Sequence, residues 1–243
     1  MTIEEAKARI VVALDFSTLD ELVVMMEQLE GVRVVKIGLE SICAMGAPQI
    51  LSYLQENWPK VKVFFDGKFK DIPRTLGAAT QNVAKYANVL MVDVFADAGD
   101  ESMKAVVKEA GEMMVLGLTV LTSLAEEEVR EIYDEGAAET VVSLACKAKK
   151  AGCHGIICSP ADLEYLPEEL KRSIKVTPGV RPKWAASNDQ QRVMTPGEAV
   201  KAGADYLVIG RPITKPPTEV GSARAALELI AAEMVEATIL IKR

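Results

Sequence analysis

Short apolar runs alternate along the chain with longer amphipathic stretches. Eight of these runs are nearly continuously apolar and rich in β-branched residues, a pattern typical of parallel strands that are covered on both faces. The predicted strands are residues 10–14, 34–37, 61–65, 89–94, 114–120, 155–158, 174–177 and 206–209.

The stretches between these runs predict amphipathic helices. In residues 19–29, for example, apolar side chains recur at the i, i+3, i+4, i+7 spacing of a helix that buries one face. The other predicted helices are residues 48–57, 74–86, 101–110, 126–149, 198–202 and 222–236.

The repetition of strand and helix from end to end predicts an α/β protein with the (β/α)8 TIM-barrel fold. Because no linker or change in composition interrupts the repetition, we expect a single domain over residues 1–243. The alternative, an open doubly wound sheet, usually has a glycine-rich dinucleotide-binding turn after its first strand. The corresponding segment here, Leu14-Asp15-Phe16-Ser17, contains no glycine.

Composition narrows the possible functions. The chain has 243 residues and a net charge of -7, which argues against nucleic-acid binding but allows a small anionic ligand in a locally basic pocket. No apolar run reaches the roughly 18 residues of a membrane-spanning helix. Residues 1–9 lack the apolar segment of a signal peptide, so we expect a cytoplasmic protein.

The four cysteines, Cys43, Cys146, Cys153 and Cys158, show no C-x-x-C pairing, and we expect buried thiols, not a disulfide or zinc site. The single histidine, His154, precedes an apolar strand, and we expect it in a loop at the bottom of the fold. We therefore predict no metal site and no metal cofactor.

A TIM barrel places its functional residues at the carboxyl ends of its strands. Charged residues occur there at Asp15, Lys36, Asp66, Lys68 and Asp71. The spacing of two puts Asp66 and Lys68 on the same side of an extended segment. An unpaired Lys36 ammonium would be costly to bury in its apolar strand, and Asp66 on the next strand could be its partner. The pattern indicates an alternating array of these lysines and aspartates, although an ordinary ion-pair network would use the same spacing.

A second group of residues follows strands seven and eight, where this fold commonly binds phosphate. Gly210 lets the backbone approach an oxyanion, Arg211 supplies a fork of donors, and Pro212 suits the first turn of a short helix. Residues 180–189 are long enough to form a mobile cover over the site. On its own, Gly-Arg-Pro could equally be an ordinary turn.

Two hydroxyl residues follow strand five. Thr122 could meet a polar heterocycle. We expect Ser123 to cap the next helix, in a capping box with Glu126.

Taken together, motifs in order along nearly the whole chain resemble orotidine 5'-monophosphate decarboxylases. They are Ala13-Leu14-Asp15, Lys36-Ile37-Gly38-Leu39-Glu40, residues 66–75, Leu121-Thr122-Ser123, Cys158-Ser159-Pro160, residues 176–181, Asn188-Asp189-Gln190 and residues 208–214.

The resemblance implies an enzyme that converts orotidine 5'-monophosphate to uridine 5'-monophosphate without a cofactor. Lys68 would protonate C6 of the pyrimidine, next to Asp66, with Lys36 and Asp71 completing the charged array. Asp71 and Thr75 would reach the partner's site in a homodimer. The remaining substrate-binding residues would be Asp15 and Lys36 at the ribose, Thr122 at the pyrimidine, and Arg181, Gln190, Gly210 and Arg211 at the phosphate. Gln190 would also bridge toward the base, and Pro178 would be a further substrate-binding residue.

Four positions depart from the pattern of this family. Gly67 and Lys70 stand where an apolar residue and a histidine are more usual, and Phe95 and Asp97 where we expect a histidine and a small residue. Sugar-phosphate decarboxylases and hexulose-phosphate aldol enzymes share the D-x-K-x-x-D barrel, but they tend to have an acidic residue at the position of Lys36 and to use Mg2+. A barrel that binds nucleotides without catalysis is a further alternative.

Overall fold

A computed structural model describes residues 1–185 and 194–241. Eight parallel strands form a closed barrel in sequence order, so each strand pairs with the next one along the chain and β8 pairs with β1. The strands are β1 Ile10–Ala13, β2 Val34–Ile37, β3 Lys62–Phe69, β4 Val89–Phe95, β5 Met114–Leu118, β6 Gly155–Ile157, β7 Ile174–Thr177 and β8 Tyr206–Ile209. The predicted (β/α)8 barrel is confirmed.

Helices surround the barrel. Within the described residues they are α1 Ile3–Ala8, α2 Leu19–Gln28, α3 Leu39–Met45, α4 Ala47–Asn57, α5 Pro73–Val83, α6 Asp100–Glu109, α7 Glu126–Tyr133, α8 Ala137–Lys150, α9 Pro196–Ala202, α10 Arg211–Thr214 and α11 Ala223–Ile241. Two 3-10 segments, Pro160–Tyr165 and Glu168–Leu170, follow β6. None of the described helices is both long and apolar enough to cross a membrane.

Several predicted elements differ from the structure by a few residues at their ends, and two differ more. The single helix predicted at 126–149 is divided into α7 and α8, because Asp134 ends α7 in the left-handed conformation (φ 60°) and Gly136 begins α8. The third strand was predicted to end at Phe65 but continues to Phe69, with an irregular register against β4 between those two residues.

Apolar side chains form two layers. One fills the barrel interior and includes Val11, Val34, Phe64 and Met91, while the other lies between the strands and the surrounding helices. The alternation of inward and outward residues along each strand therefore determines which side chains follow the interior layer toward the carboxyl ends of the strands.

The single histidine lies at the other end of the barrel, and the four cysteines are free thiols. His154 immediately precedes β6, at the predicted end of the barrel, and its Nδ1 accepts a hydrogen bond from the Val115 N–H (3.0 Å). The prediction that all four cysteines are buried is wrong, since only Cys158 is buried and Cys43 is exposed. Burial raises the pKa of the Cys153 thiol to about 12.

Candidate active site

Charged side chains cover the apolar interior on one half of the barrel. On strands β1 to β4, the residue two positions after an interior apolar residue is charged: Asp15, Lys36, Asp66 and Asp93 follow Ala13, Val34, Phe64 and Met91. On the other half, the corresponding positions after Leu118, Ile157, Val176 and Val208 are Val120, Ser159, Pro178 and Gly210. The positions that follow the interior layer are thus charged on one half of the barrel and uncharged on the other.

The charged side chains alternate in sign. Lys36 Nζ lies 2.9 Å from Asp15 Oδ1 and 3.3 Å from Asp66 Oδ2, so the expected partner of Lys36 is in place. Lys68 Nζ contacts Asp66 Oδ1 and lies 3.4 Å from Asp93 Oδ2. The array within one subunit therefore runs Asp15–Lys36–Asp66–Lys68–Asp93.

Asp93 was not among the predicted site residues. It lies in an otherwise apolar run, residues 89–94, and its side chain is fully buried (0% exposed). The signal that could have found it is the alternation itself, because Met91-x-Asp93 repeats the pattern of Phe64-x-Asp66 and Val34-x-Lys36.

Burial shifts the pKa values of Lys68 and Asp93, the two residues at the end of this array. The pKa of Lys68 is lowered from its ordinary value, chiefly because burial penalises the ammonium. The Asp93 charge opposes that shift and the Lys36 charge adds to it. The pKa of Asp93 is raised, mainly by burial, while the contacts with Lys68 counteract the rise.

Two small residues allow the array to close. A Cβ atom on Gly38 would lie 2.6 Å from Lys36 Nζ and 3.1 Å from Asp15 Oδ1, so only glycine leaves this ion pair undisturbed. The buried hydroxyl of Ser41 lies 2.9 Å from Leu14 O and accepts a hydrogen bond from the Phe16 N–H (3.1 Å), which fixes the chain on both sides of Asp15.

Two adjoining cavities open at this end of the barrel. The first is lined by Lys36, Asp66, Lys68 and Thr122 together with apolar residues that include Phe64, Leu118 and Ile157. The second is lined by Asp15, Lys36, Pro178, Arg181, Gly210 and Arg211, among others. Lys36, Pro178 and Val208 border both cavities. The two cavities therefore adjoin at the Lys36 side chain.

The second cavity has the features of an anion site. Gly210 directly precedes the four-residue helix α10, and Arg211 and Pro212 occupy its first turn. Arg181 is buried (7% exposed), and its backbone N–H donates to Met194 O (2.9 Å). The predicted residue Gln190 lies outside the described residues, as do residues 186–189 of the proposed cover at 180–189.

Two predicted site residues, Asp71 and Thr75, lie elsewhere. Asp71 and Thr75 are exposed and do not line either cavity, and Asp71 Oδ1 accepts a hydrogen bond from the Ile72 N–H (2.6 Å).

The prediction that Ser123 and Glu126 form a capping box is wrong. Helix α7 begins after Ala125, whose N–H is bound by Glu128 (2.8 Å).

Comparison with known proteins identifies the family. Residues 8–226 match the family described as "Orotidine 5'-phosphate decarboxylase / HUMPS family". The chain belongs to this family.

Individual members of the orotidine 5'-phosphate decarboxylase / HUMPS family are similar over nearly the whole chain. The orotidine 5'-phosphate decarboxylase of Saccharophagus degradans is 39% identical over 239 residues, covering 95% of this chain and 97% of the relative. That of Geobacter sulfurreducens is 39% identical over 242 residues, covering 96% and 100%. The crystal structure of orotidine 5'-phosphate decarboxylase from Lactobacillus acidophilus superposes with a TM-score of 0.78 at 30% identity and covers 93% of this chain and 98% of that one. The predicted family is confirmed.

The four positions that depart from the usual pattern of this family contact one another or fill adjacent space. Lys70 Nζ lies 2.8 Å from Asp97 Oδ2 and 5.5 Å from the centre of the Phe95 ring. A Cβ atom on Gly67 would lie 2.7 Å from the Phe69 ring and 2.8 Å from the Phe65 ring, which pack edge to face. These four residues therefore pack beside one another and are not members of the charged array.

In residues 1–185 and 194–241, no cluster of three or more His, Cys, Asp or Glu side chains has an arrangement that could hold a metal ion. The charges at the mouth of the barrel instead alternate between ammonium and carboxylate groups.

Proposed function

We propose that this protein decarboxylates orotidine 5'-monophosphate to uridine 5'-monophosphate, a step of pyrimidine synthesis. The observation that carries the proposal is the position of Lys68 and Asp66 in the wall of a mainly apolar cavity that adjoins a second cavity bearing arginines. A pyrimidine ring matches the first space in chemistry, a phosphate matches the second, and a ribose would bridge them.

The proposed reaction uses the charge pair directly. The bond between C6 and the carboxylate carbon breaks, CO2 leaves beside Asp66, and the electron pair stays on C6. The Lys68 ammonium stabilises this developing charge and then transfers its proton to C6, leaving a neutral amine. Fixed charges are most effective where water is excluded, and Lys68 and Asp66 expose only 25% and 11% of their side chains.

The other residues would bind the parts of the substrate that do not react. Lys36 borders both cavities and Asp15 borders the second one beside it, where ribose hydroxyls would lie. Thr122 borders the cavity proposed for the pyrimidine, and Pro178, Arg181, Gly210 and Arg211 border the one proposed for the phosphate. Gln190 is assigned to the phosphate from the resemblance alone. Binding energy at the phosphate can hold the substrate against the charged array and so increase kcat.

We further propose a homodimer in which Asp71 and Thr75 act at the partner's site. Both side chains are exposed, and Asp71 lines an open groove with Ile72, Pro73 and residues 97–102. Ile72 is 63% exposed there, although it is a large hydrophobic residue. A second subunit that covers this groove would bury Ile72 and remove Asp71 from solvent.

The test is a direct assay. We expect the pyrimidine absorbance of orotidine 5'-monophosphate to decrease as the purified protein converts it. The rate of this decrease should be the same after exhaustive treatment of the protein with EDTA. Activity that is lost with EDTA and restored by Mg2+ would instead indicate a sugar-phosphate decarboxylase or aldol enzyme. Binding of uridine 5'-monophosphate without any turnover would indicate a non-catalytic nucleotide-binding barrel.

The role of Lys68 is tested with Lys68→Ala. Turnover should almost vanish while uridine 5'-monophosphate still binds, because the residues proposed for the phosphate belong to other loops. A Lys68→Ala protein that keeps an appreciable fraction of the wild-type kcat would contradict the assignment.

A further inference from the structure

Lys68 has an unusual backbone conformation for a residue in a strand. Its φ is +52°, in the left-handed region that costs an L-residue free energy. Among the described residues other than glycine, only Asp134 shares a positive φ, and it ends helix α7, where such a conformation is common. Lys68 instead lies inside β3, at the register irregularity between Phe65 and Phe69.

Asp93, on the neighbouring strand β4, holds Lys68 by two groups. Its Oδ1 accepts a hydrogen bond from the Lys68 backbone N–H (3.0 Å), and its Oδ2 lies 3.4 Å from Lys68 Nζ. The regular ladder between β3 and β4 is interrupted at this point, so the carboxylate takes the place of a backbone acceptor for that N–H.

Without these contacts, burial of the Asp93 carboxylate would lower the stability of the folded protein. The side chain is fully buried and follows Met91 of the interior apolar layer. A buried carboxylate without compensating contacts is strongly destabilising. Lys68 provides the positively charged contact, and the Asp93 side chain in turn stabilises the strained backbone of Lys68.

We propose that Asp93 is a positioning residue, which keeps the Lys68 backbone in its left-handed conformation and holds its ammonium next to Asp66 in the wall of the first cavity. This inference rests on the proposed role of Lys68 as the proton donor. Asp93 itself does not line that cavity, so it acts on the reaction through Lys68.

The two contacts can be separated by substitution. Asp93→Asn keeps an oxygen that can accept the Lys68 N–H but removes the charge. Asp93→Leu keeps a branched side chain, although a larger one, and removes both. The other charged groups that face Lys68 are Asp66 on its own strand, Lys36 on β2 and Asp15 after β1, and all remain in both variants.

For Asp93→Asn we expect a lower kcat with little change in the affinity for uridine 5'-monophosphate. The alkaline limb of kcat/KM should move to lower pH, because the Asp93 charge raises the pKa of Lys68 and its removal lets that pKa fall. For Asp93→Leu we expect a deeper loss of kcat, on the order of 100-fold, because the ammonium is displaced as well.

A second readout is independent of activity. In protein labelled with 13C at the ε-carbon of lysine, the Lys68 resonance is assigned by its absence in Lys68→Ala and then titrated by NMR. It should titrate at lower pH in Asp93→Asn than in the wild type. This measurement remains decisive even if the protein does not decarboxylate orotidine 5'-monophosphate, so failure of the proposed function and failure of the inference can be told apart.

The chain provides a matched control at the opposite end of the barrel. Asp205 Oδ2 accepts a hydrogen bond from the Lys175 N–H (2.9 Å) and lies 3.0 Å from Lys175 Nζ, the same pair of contacts that Asp93 makes with Lys68. Asp205→Asn should leave both kcat and the Lys68 titration unchanged. The inference is overturned if Asp93→Asn leaves the Lys68 titration unchanged and both Asp93 variants keep wild-type kcat, or if Asp205→Asn reproduces their effects.

Discussion

The Lys70 ammonium lies 2.8 Å from the Asp97 carboxylate, joining the segments that follow β3 and β4. The Phe95 ring lies 5.5 Å below the same ammonium, and Tyr133 Oη on α7 is 3.4 Å from Asp97. Three of the residues expected to depart from the usual pattern of the family therefore form one contact group. Substituting Lys70 would remove both the ion pair with Asp97 and the contact with the Phe95 ring.

We predict measurable coupling between Lys70 and Asp97. In a double-mutant cycle with Lys70→Ala and Asp97→Ala, the interaction free energy should be about 0.2–1 kcal/mol, because 53% of the Lys70 side chain is exposed and water screens the pair. It can be measured from unfolding in urea. The pair Lys104–Glu101 on α6, at the same distance of 2.8 Å but more exposed at Glu101, is the control. Coupling no larger than in that control would mean that the contact group contributes nothing specific.

Gly38 provides a test of how closely the charged array is packed. In Gly38→Ala, the new Cβ would lie 2.6 Å from Lys36 Nζ, and we expect the flexible lysine side chain to move. A displacement of that size can lower kcat/KM on the order of 100-fold, while the thermal midpoint should change little because only the end of the side chain shifts.

The control is Gly77→Ala in α5. An added Cβ there meets Glu109 at an ordinary contact distance of 3.6 Å, and activity should be unchanged. If Gly38→Ala were as active as Gly77→Ala, the contact between Lys36 and Asp15 would not matter for catalysis.

Residue alternation explains why part of this site could be predicted from the sequence. Lys36, Asp66 and Lys68 stand at strand ends in the printed sequence, and the barrel brings strand ends together. Asp93 follows the same alternation, but it stands within an apolar run, and the register of β4 confirms that it faces inward. The division between α7 and α8 was also visible, since Asp134-Glu135-Gly136 has the composition of a turn.

Other features depend on geometry that no local pattern encodes. The left-handed conformation of Lys68 arises from the irregular register of β3 against β4, and lysine carries no preference for it. Lys70 and Asp97 are 27 residues apart, and they meet only because β3 and β4 are neighbours. The position of Asp71 relative to a second subunit is not a property of one chain.

The pH dependence of the reaction should reflect Lys68. Burial lowers the pKa of its ammonium from the ordinary value of 10.5. A proton donor must be protonated, so kcat/KM should be constant below that lowered pKa and fall as the pH rises through it. The midpoint of this decline should therefore lie below 10.5. A profile of kcat/KM that remains flat up to that pH would show that another group supplies the proton.

Subunit mixing tests whether Asp71 serves the partner's site. Asp71→Asn and Lys68→Ala proteins should each be nearly inactive. After subunit exchange, a mixed dimer would have one site with both defects and one with neither, so part of the activity should return. Mass spectrometry confirms that exchange has taken place. No recovery in exchanged dimers would place Asp71 at its own subunit's site or outside catalysis.

The last prediction concerns the phosphate. Trp184 lines a groove with Arg181 and Arg211, whereas Trp58 follows α4 at the opposite end of the barrel, 6.1 Å from the Tyr53 ring. In a Trp58→Phe protein, Trp184 emission should change when uridine 5'-monophosphate binds and change much less with uridine at equal occupancy.

Charge-assisted hydrogen bonds to a phosphate are strong. Arg211→Ala should therefore weaken nucleotide binding by about 1.5–3 kcal/mol and leave uridine binding unaffected. Arg224→Ala, which removes an exposed arginine paired with Glu30 on the outer surface, is the control and should bind both ligands normally. An equal loss of affinity for nucleotide and nucleoside in Arg211→Ala would mean that Arg211 supports the fold of the pocket and does not bind the phosphate.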